Sequence, residues 1–169
     1  MRYPVSALLG SMTMVASAAA RADVPDTPAW AANVDQVTGL GVAVLVPDEG
    51  DVGVGLELST RYGFPVGPVV LAPGGRIGGY YLGDRLAGMM LATGRVTLPV
   101  GPLAPFLQAG AGAGGLSNPA EAGLGWLAGG GLMIHFGRQL AVGVEVSWQG
   151  ITGTGFEVLA IGPSLVIGG

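Results

Sequence analysis

Cysteine and lysine are absent from this 169-residue sequence, and histidine occurs once. Without cysteine there is no disulfide framework and no thiolate chemistry. All seven basic residues are arginine, set against eleven acids, and charged residues make up only 11% of the chain. A soluble protein carries roughly 25%, so a domain of this size has too little charge to clothe a water-exposed surface. The net charge is −4. No basic patch results, and nucleic acid is not expected as a partner. A hydrophobic helical span is missing too. The uncharged stretch 96–120 holds Pro99, Pro102 and Pro105, then Gly110, Gly112, Gly114 and Gly115. Prolines at that spacing cannot continue a helix. If this chain crosses a bilayer, a closed barrel is the remaining way to satisfy its backbone there.

What the sequence has is glycine and alternation. Half of its residues are hydrophobic and 33 are glycine, far above the usual share of roughly 7%. In Val52–Phe64 one parity reads Val52, Val54, Leu56, Leu58, Thr60, Tyr62, Phe64, and the other Gly53, Gly55, Glu57, Ser59, Arg61, Gly63. In Leu140–Gln149 Leu140, Val142, Val144, Val146 and Trp148 alternate with Ala141, Gly143, Glu145, Ser147 and Gln149. A period of two marks β-strand. Bulky apolar groups on one face, with small groups and single charges on the other, suit a barrel whose outer solvent is lipid.

Turn chemistry divides the chain into eight runs, at about 36–46, 52–64, 69–82, 86–98, 105–116, 123–136, 140–149 and 157–167. Proline, glycine and acidic clusters separate them, and 117–122 reads as the longest polar loop. The spacing fits tilted spans of ~9–11 residues. The expected fold is all-β, an eight-stranded antiparallel up-and-down transmembrane β-barrel. In the fourth run either parity could face lipid. In the eighth, Leu159, Ile161, Leu165 and Ile167 are expected outward. With both chain ends in the periplasm, aromatic residues fall at the two interfaces. Tyr62, Phe64, Phe106 and Phe136 lie at one, and Tyr80, Tyr81, Trp126, Trp148 and Phe156 at the other, as expected of an aromatic girdle.

The first residues read as an export signal. Arg2 supplies the positive start, and the apolar stretch Val5–Val15 is too short to span a membrane. Small residues then lead to a cleavage site after Ala20 or Ala22. The expected organisation is a signal peptide over 1–22, a periplasmic N-terminal extension over 23–35 and a barrel over 36–169. Cleavage after Ala22 removes Arg2 and Arg21 and leaves five arginines against eleven acids, a mature charge of −6.

By parity Glu57, Arg61, Arg76, Arg95 and Glu145 point into the lumen. A lumen of this size is just wide enough for side chains to fill. Buried ions there should pair, either as a plug that holds the barrel shut or as a gate that opens when partners switch. His135 has no partner at catalytic or metal-binding spacing, so no enzyme activity, metal or cofactor is expected. Asp48, Glu49 and Asp51 form an acidic turn that could hold a divalent cation or simply be solvated.

Two segments carry a family resemblance. Pro105-Phe106-Leu107-Gln108-Ala109-Gly110-Ala111-Gly112 resembles a strand of the small outer-membrane β-barrel proteins of the opacity-protein and OmpA-like type. So does Gly129-Gly130-Gly131-Leu132 running through Phe136, Arg138 and Leu140-Ala141-Val142-Gly143-Val144-Glu145. The resemblance covers 105–148 by local motif and the rest by pattern. It implies an outer-membrane location, with the lipid bilayer and the outer-membrane assembly machinery as partners. Such barrels usually end in an aromatic residue, whereas this chain ends Val166-Ile167-Gly168-Gly169. The expected role is a structural envelope barrel or a narrow, ion-pair-gated pore. The alternatives are an outer-membrane binding protein or adhesin, a soluble lipocalin-like carrier with the parities reversed, and a lipid-modifying barrel enzyme, against which the missing nucleophile–base pair argues.

Overall fold

The computed structural model describes residues 35–48, 50–137 and 139–168. The expected signal peptide, nearly all of the expected N-terminal extension, and Glu49 lie outside the described residues. Eight strands follow in order, β1 (Asp35–Pro47), β2 (Gly53–Val66), β3 (Val69–Leu82), β4 (Arg85–Thr97), β5 (Leu103–Ser117), β6 (Ala120–Phe136), β7 (Leu140–Ile151) and β8 (Phe156–Gly168). Each pairs antiparallel with the next, and β8 pairs with β1 to close the cylinder.

The register fixes the barrel's shape. One circuit across the ladders runs from Val37 to Arg61, Gly74, Thr93, Gly110, Leu127, Gln149 and Val158. It re-enters β1 at Pro47, a stagger of ten residues from Val37. For eight strands at ordinary rise and spacing, that stagger means a tilt of about 40° and a radius of about 8 Å. At the closing seam, pairing stops at Gly41↔Ser164 and resumes at Val44↔Ile161. Pro163 sits in the gap and has no N–H to give.

Strand alternation sorts the side chains. Leu40, Val42, Val44, Leu56, Leu58, Ile77, Met90, Leu107, Leu124, Val144 and Ile161 all face outward and are exposed. Glu57, Arg61, Arg76, Arg95 and Glu145 face inward and are buried. The reversed parity of a lipocalin-like carrier is therefore excluded. In β4 the ambiguity resolves with Ala87, Met89 and Leu91 inside and Leu86 and Met90 outside. In β8 Ile161 and Ile167 face out, while Val158, Ala160 and Val166 face in.

The connections are short at both ends. The end bearing Asp35 and Gly168 carries turns 67–68, 98–102 and 137–139, and the distal end carries 48–52, 83–84, 118–119 and 152–155. Gly67 and Gly83 adopt φ of 60° and 61° in two-residue turns, the left-handed backbone that such hairpins need. The polar segment 117–122 is not a long loop. Ser117 pairs with Ala120, so the strands run on to the tip and only Asn118 and Pro119 form the turn.

Candidate functional site

Three layers fill the lumen. At the distal end Leu45, Tyr80, Met89, Leu91, Leu127 and Phe156 belong to one apolar cluster. Near the chain ends Val37, Ala104, Phe106, Met133, Ala141 and Val166 form another. Between them lies a polar belt contributed by β2, β3, β4, β5 and β7.

Arg76 is the centre of that belt. Its guanidinium bridges two carboxylates, reaching Glu57 Oε2 through one nitrogen and Glu145 Oε1 through the other at 2.5 Å. Glu57 Oε1 accepts hydrogen bonds from the Tyr80 hydroxyl at 3.0 Å and from Gln149 Nε2 at 2.9 Å. Gln149 also donates to Ser147 Oγ at 2.8 Å. On the other side Arg95 donates to Gln108 Oε1 at 2.8 Å and to Glu145 Oε2 at 3.4 Å. Gln108 Nε2 returns a bond to Glu145 Oε1. The Arg95 guanidinium lies over the Phe106 ring, 3.8 Å from its centroid, a cation–π contact. All four carboxylate oxygens of Glu57 and Glu145 thus accept at least one bond.

Sequence and geometry explain why the belt forms. β2 brings Glu57 and Arg61, β3 Arg76 and Tyr80, β4 Arg95, β5 Phe106 and Gln108, and β7 Glu145, Ser147 and Gln149, each on its strand's inward parity. Long side chains on so tight a cylinder need neighbours of little bulk. A Cβ on Gly78 would overlap the Tyr80 hydroxyl, so glycine at 78 is what leaves that hydroxyl room beside Glu57. Arg61 is also buried, but no hydrogen bond or ion pair joins it to a carboxylate among the described residues. His135 is buried as well. Asp48 and Asp51 are exposed at the distal turn. Among the described residues no three acidic or histidine side chains converge as a metal site.

The solved structures that share this architecture are membrane barrels. The outer membrane enzyme PagL superposes with a TM-score of 0.59 at 15% identity, covering 77% of this chain and 99% of that one. Neisserial surface protein A gives 0.60 at 11% identity, covering 78% and 95%. The N-terminal β-barrel domain of Pseudomonas aeruginosa OprF gives 0.55 at 14% identity, covering 79% and 97%. The fold is that of the small outer-membrane β-barrels. No family model and no curated protein matches the sequence. The likeness also corrects an expectation. PagL is itself an enzyme of the outer membrane, so a small outer-membrane barrel does not exclude catalysis, and the reading of this chain as a non-enzyme is withdrawn.

The aromatic residues of this barrel divide in two. Tyr62, Phe64, Tyr81 and Trp148 face outward and are exposed. Trp126 and Phe136 are half-buried on the outward parity of β6. Trp148 donates its indole N–H to Glu157 at 2.7 Å. Phe106 and Phe156 were expected in the girdle but point into the lumen, 4% and 6% exposed. Phe106 shares the parity of Gln108 and meets Arg95. Phe156 shares that of Val158 and meets Tyr80, centroids 5.7 Å apart. Tyr80, also expected at an interface, is buried beside Glu57. Parity, not nearness to a strand end, decides which aromatics face outward. The sequence reading missed Gln108, Gln149 and Tyr80 as members of the belt. Their inward parity was the available signal.

Proposed function

We propose that this protein is an integral barrel of the outer membrane, its chain ends toward the periplasm, with a structural envelope role and a lumen shut by an ion-pair plug. Membrane insertion is supported by the wall. From Leu40 to Ile167 its large side chains are apolar and exposed all round the cylinder, a surface that suits acyl chains and not water. The lipid bilayer and the outer-membrane assembly machinery are the partners this reading implies. Recovery of the protein in a detergent-free soluble fraction would overturn it.

The observation that carries the plug is Arg76. It spans from Glu57 on β2 to Glu145 on β7, so one side chain ties together opposite parts of the wall. Apolar layers close the lumen on either side. A buried pair of this kind is costly to break one partner at a time, and the belt is held rather than fluctuating. A gate would instead need Arg76 to release one carboxylate and let a file of water through. Recording from planar bilayers distinguishes plug from channel. The wild-type barrel is expected to be silent or to open briefly, and Arg76→Ala to pass clearly more current while keeping the heat-dependent gel mobility of a folded barrel. Steady current through the wild type, unchanged in the folded variant, would remove the plug.

A further inference from the structure

Among the described side chains the lumen holds three arginines and two glutamates, one positive charge in excess. The excess has an address. Each carboxylate oxygen of Glu57 and Glu145 already accepts a bond from Arg76, Arg95, Tyr80, Gln108 or Gln149. Arg61 is 7% exposed and shares in none of those bonds. A guanidinium does not shed its proton in a protein; the attraction of Glu145 reaches Arg61 without a direct hydrogen bond or ion pair, so the cost of its burial is only partly compensated. Beside Arg61 is a cavity of about 20 Å³ whose lining includes Ser59, Arg61, Ser164 and Val166 together with both carboxylates, Glu57 and Glu145. The small residue at 39 helps to shape it. A Cβ there would press on Ser59 Oγ and lie 3.7 Å from Arg61 Nη1.

We propose that this cavity is a binding site for a single halide-sized anion, chloride in ordinary media, with Arg61 as its principal ligand and the hydroxyls of Ser59 and Ser164 as supporting donors. The size argument is direct. About 10–15 Å³ is needed for one water, so 20 Å³ has room for a single small ion. The charge argument agrees, because the lining carries three cations against two carboxylates, each oxygen of which already accepts a bond. Chemistry on the apolar side fits as well. Val166, buried in the lumen, offers a poorly hydrated wall, which a large, weakly hydrated monovalent anion tolerates better than a multiply charged one. The site needs the barrel to be folded but not to conduct, so the plug can fail without it.

The test uses the full chain refolded in detergent micelles and unfolded in urea, with sodium held constant while chloride replaces gluconate. Binding to the folded state alone lowers the unfolding equilibrium constant about tenfold for each tenfold rise in chloride above the dissociation constant. That slope is expected in the wild type and absent in Arg61→Gln. No slope in the wild type, or an equal slope in Arg61→Gln, overturns the proposal. Should Arg61→Gln fail to fold, Ser59→Ala is expected to weaken the slope, and an unaltered slope there counts against the site. Crystals grown in bromide give the direct reading. Anomalous density between Arg61 and Ser59 is expected. Density only at other positions, with no chloride slope in solution, means an adventitious ion only and sinks the site.

Discussion

Val144 and Glu145 are neighbours in the chain and sit on opposite sides of the barrel wall. Val144 is 51% exposed on the wall, while Glu145 is buried between Arg76 and Arg95. The same strand backbone supports both, because a strand turns successive side chains to opposite faces. The difference lies in what each face supplies. Hydrocarbon offers no hydrogen-bond partner, so every wall position must be apolar or must reach an interface. The lumen offers donors and acceptors from the other strands, so a charge is stable there in proportion to the bonds it finds. Burial alone does not separate the regions. Leu45 is as deeply buried as any belt residue, and only the belt carries ions.

The sharpest way to break this comparison is on the lumen side. Glu145→Ala takes the carboxylate away from both Arg76 and Arg95, and removing one partner from buried pairs costs about 3–5 kcal/mol. Reversible urea unfolding in lipid vesicles is the measurement, and Glu145→Gln should recover part of the loss by still accepting hydrogen bonds. A loss under about 1 kcal/mol, no more than a typical neutral hydrogen bond, would mean the belt is solvated rather than paired. Next comes the wall. Val144→Arg, midway along β7, is expected to cost about 2–4 kcal/mol by the same assay, falling toward the strand ends as the bilayer thins to its interfaces. An Arg tolerated there without cost would mean that this face does not meet lipid. The smallest effect belongs to the rim, which is neither wall nor lumen. Arg85 and Asp84 approach to 4.0 Å at the distal turn, both well exposed. Asp84→Ala should change stability by no more than about 0.5 kcal/mol, because solvent screens such a pair. A larger change would show that the distal turn is coupled to the lumen below it.

The wall was legible because its signal is redundant. In β2 and β7 bulky and small residues alternate without interruption, and any one misread position is outvoted by its neighbours. The strand count followed from turns such as Pro65-Val66-Gly67-Pro68, whose chemistry is local. The inward parity of Glu57, Arg61 and Glu145 could be read from the same alternation. Pairing within the belt could not. Nothing in the chain says that Arg76 rather than Arg61 meets the carboxylates, since that depends on stagger between strands distant in sequence. β4 resisted for a related reason. Leu86, Gly88 and Met90 differ little in bulk from Ala87, Met89 and Leu91, and only the apolar distal layer of the lumen decides between them. Phe106 and Phe156 were misplaced because closeness to a strand end was weighed above parity. Residues 117–122 read as a loop because polar composition stood in for backbone pairing, which continues to Ser117↔Ala120.

The proline in the last strand has a mechanical consequence. Zipping β8 onto β1 joins the two strands most remote in sequence, so it carries the largest loop-closure entropy in the molecule. Pro163 withholds a backbone donor from that same junction, and the ladder skips there between Gly41 and Val44. The costliest weld in the cylinder is therefore also the one with a rivet missing. It is the line along which the staves come together last during insertion and spring apart first when the hoop is strained.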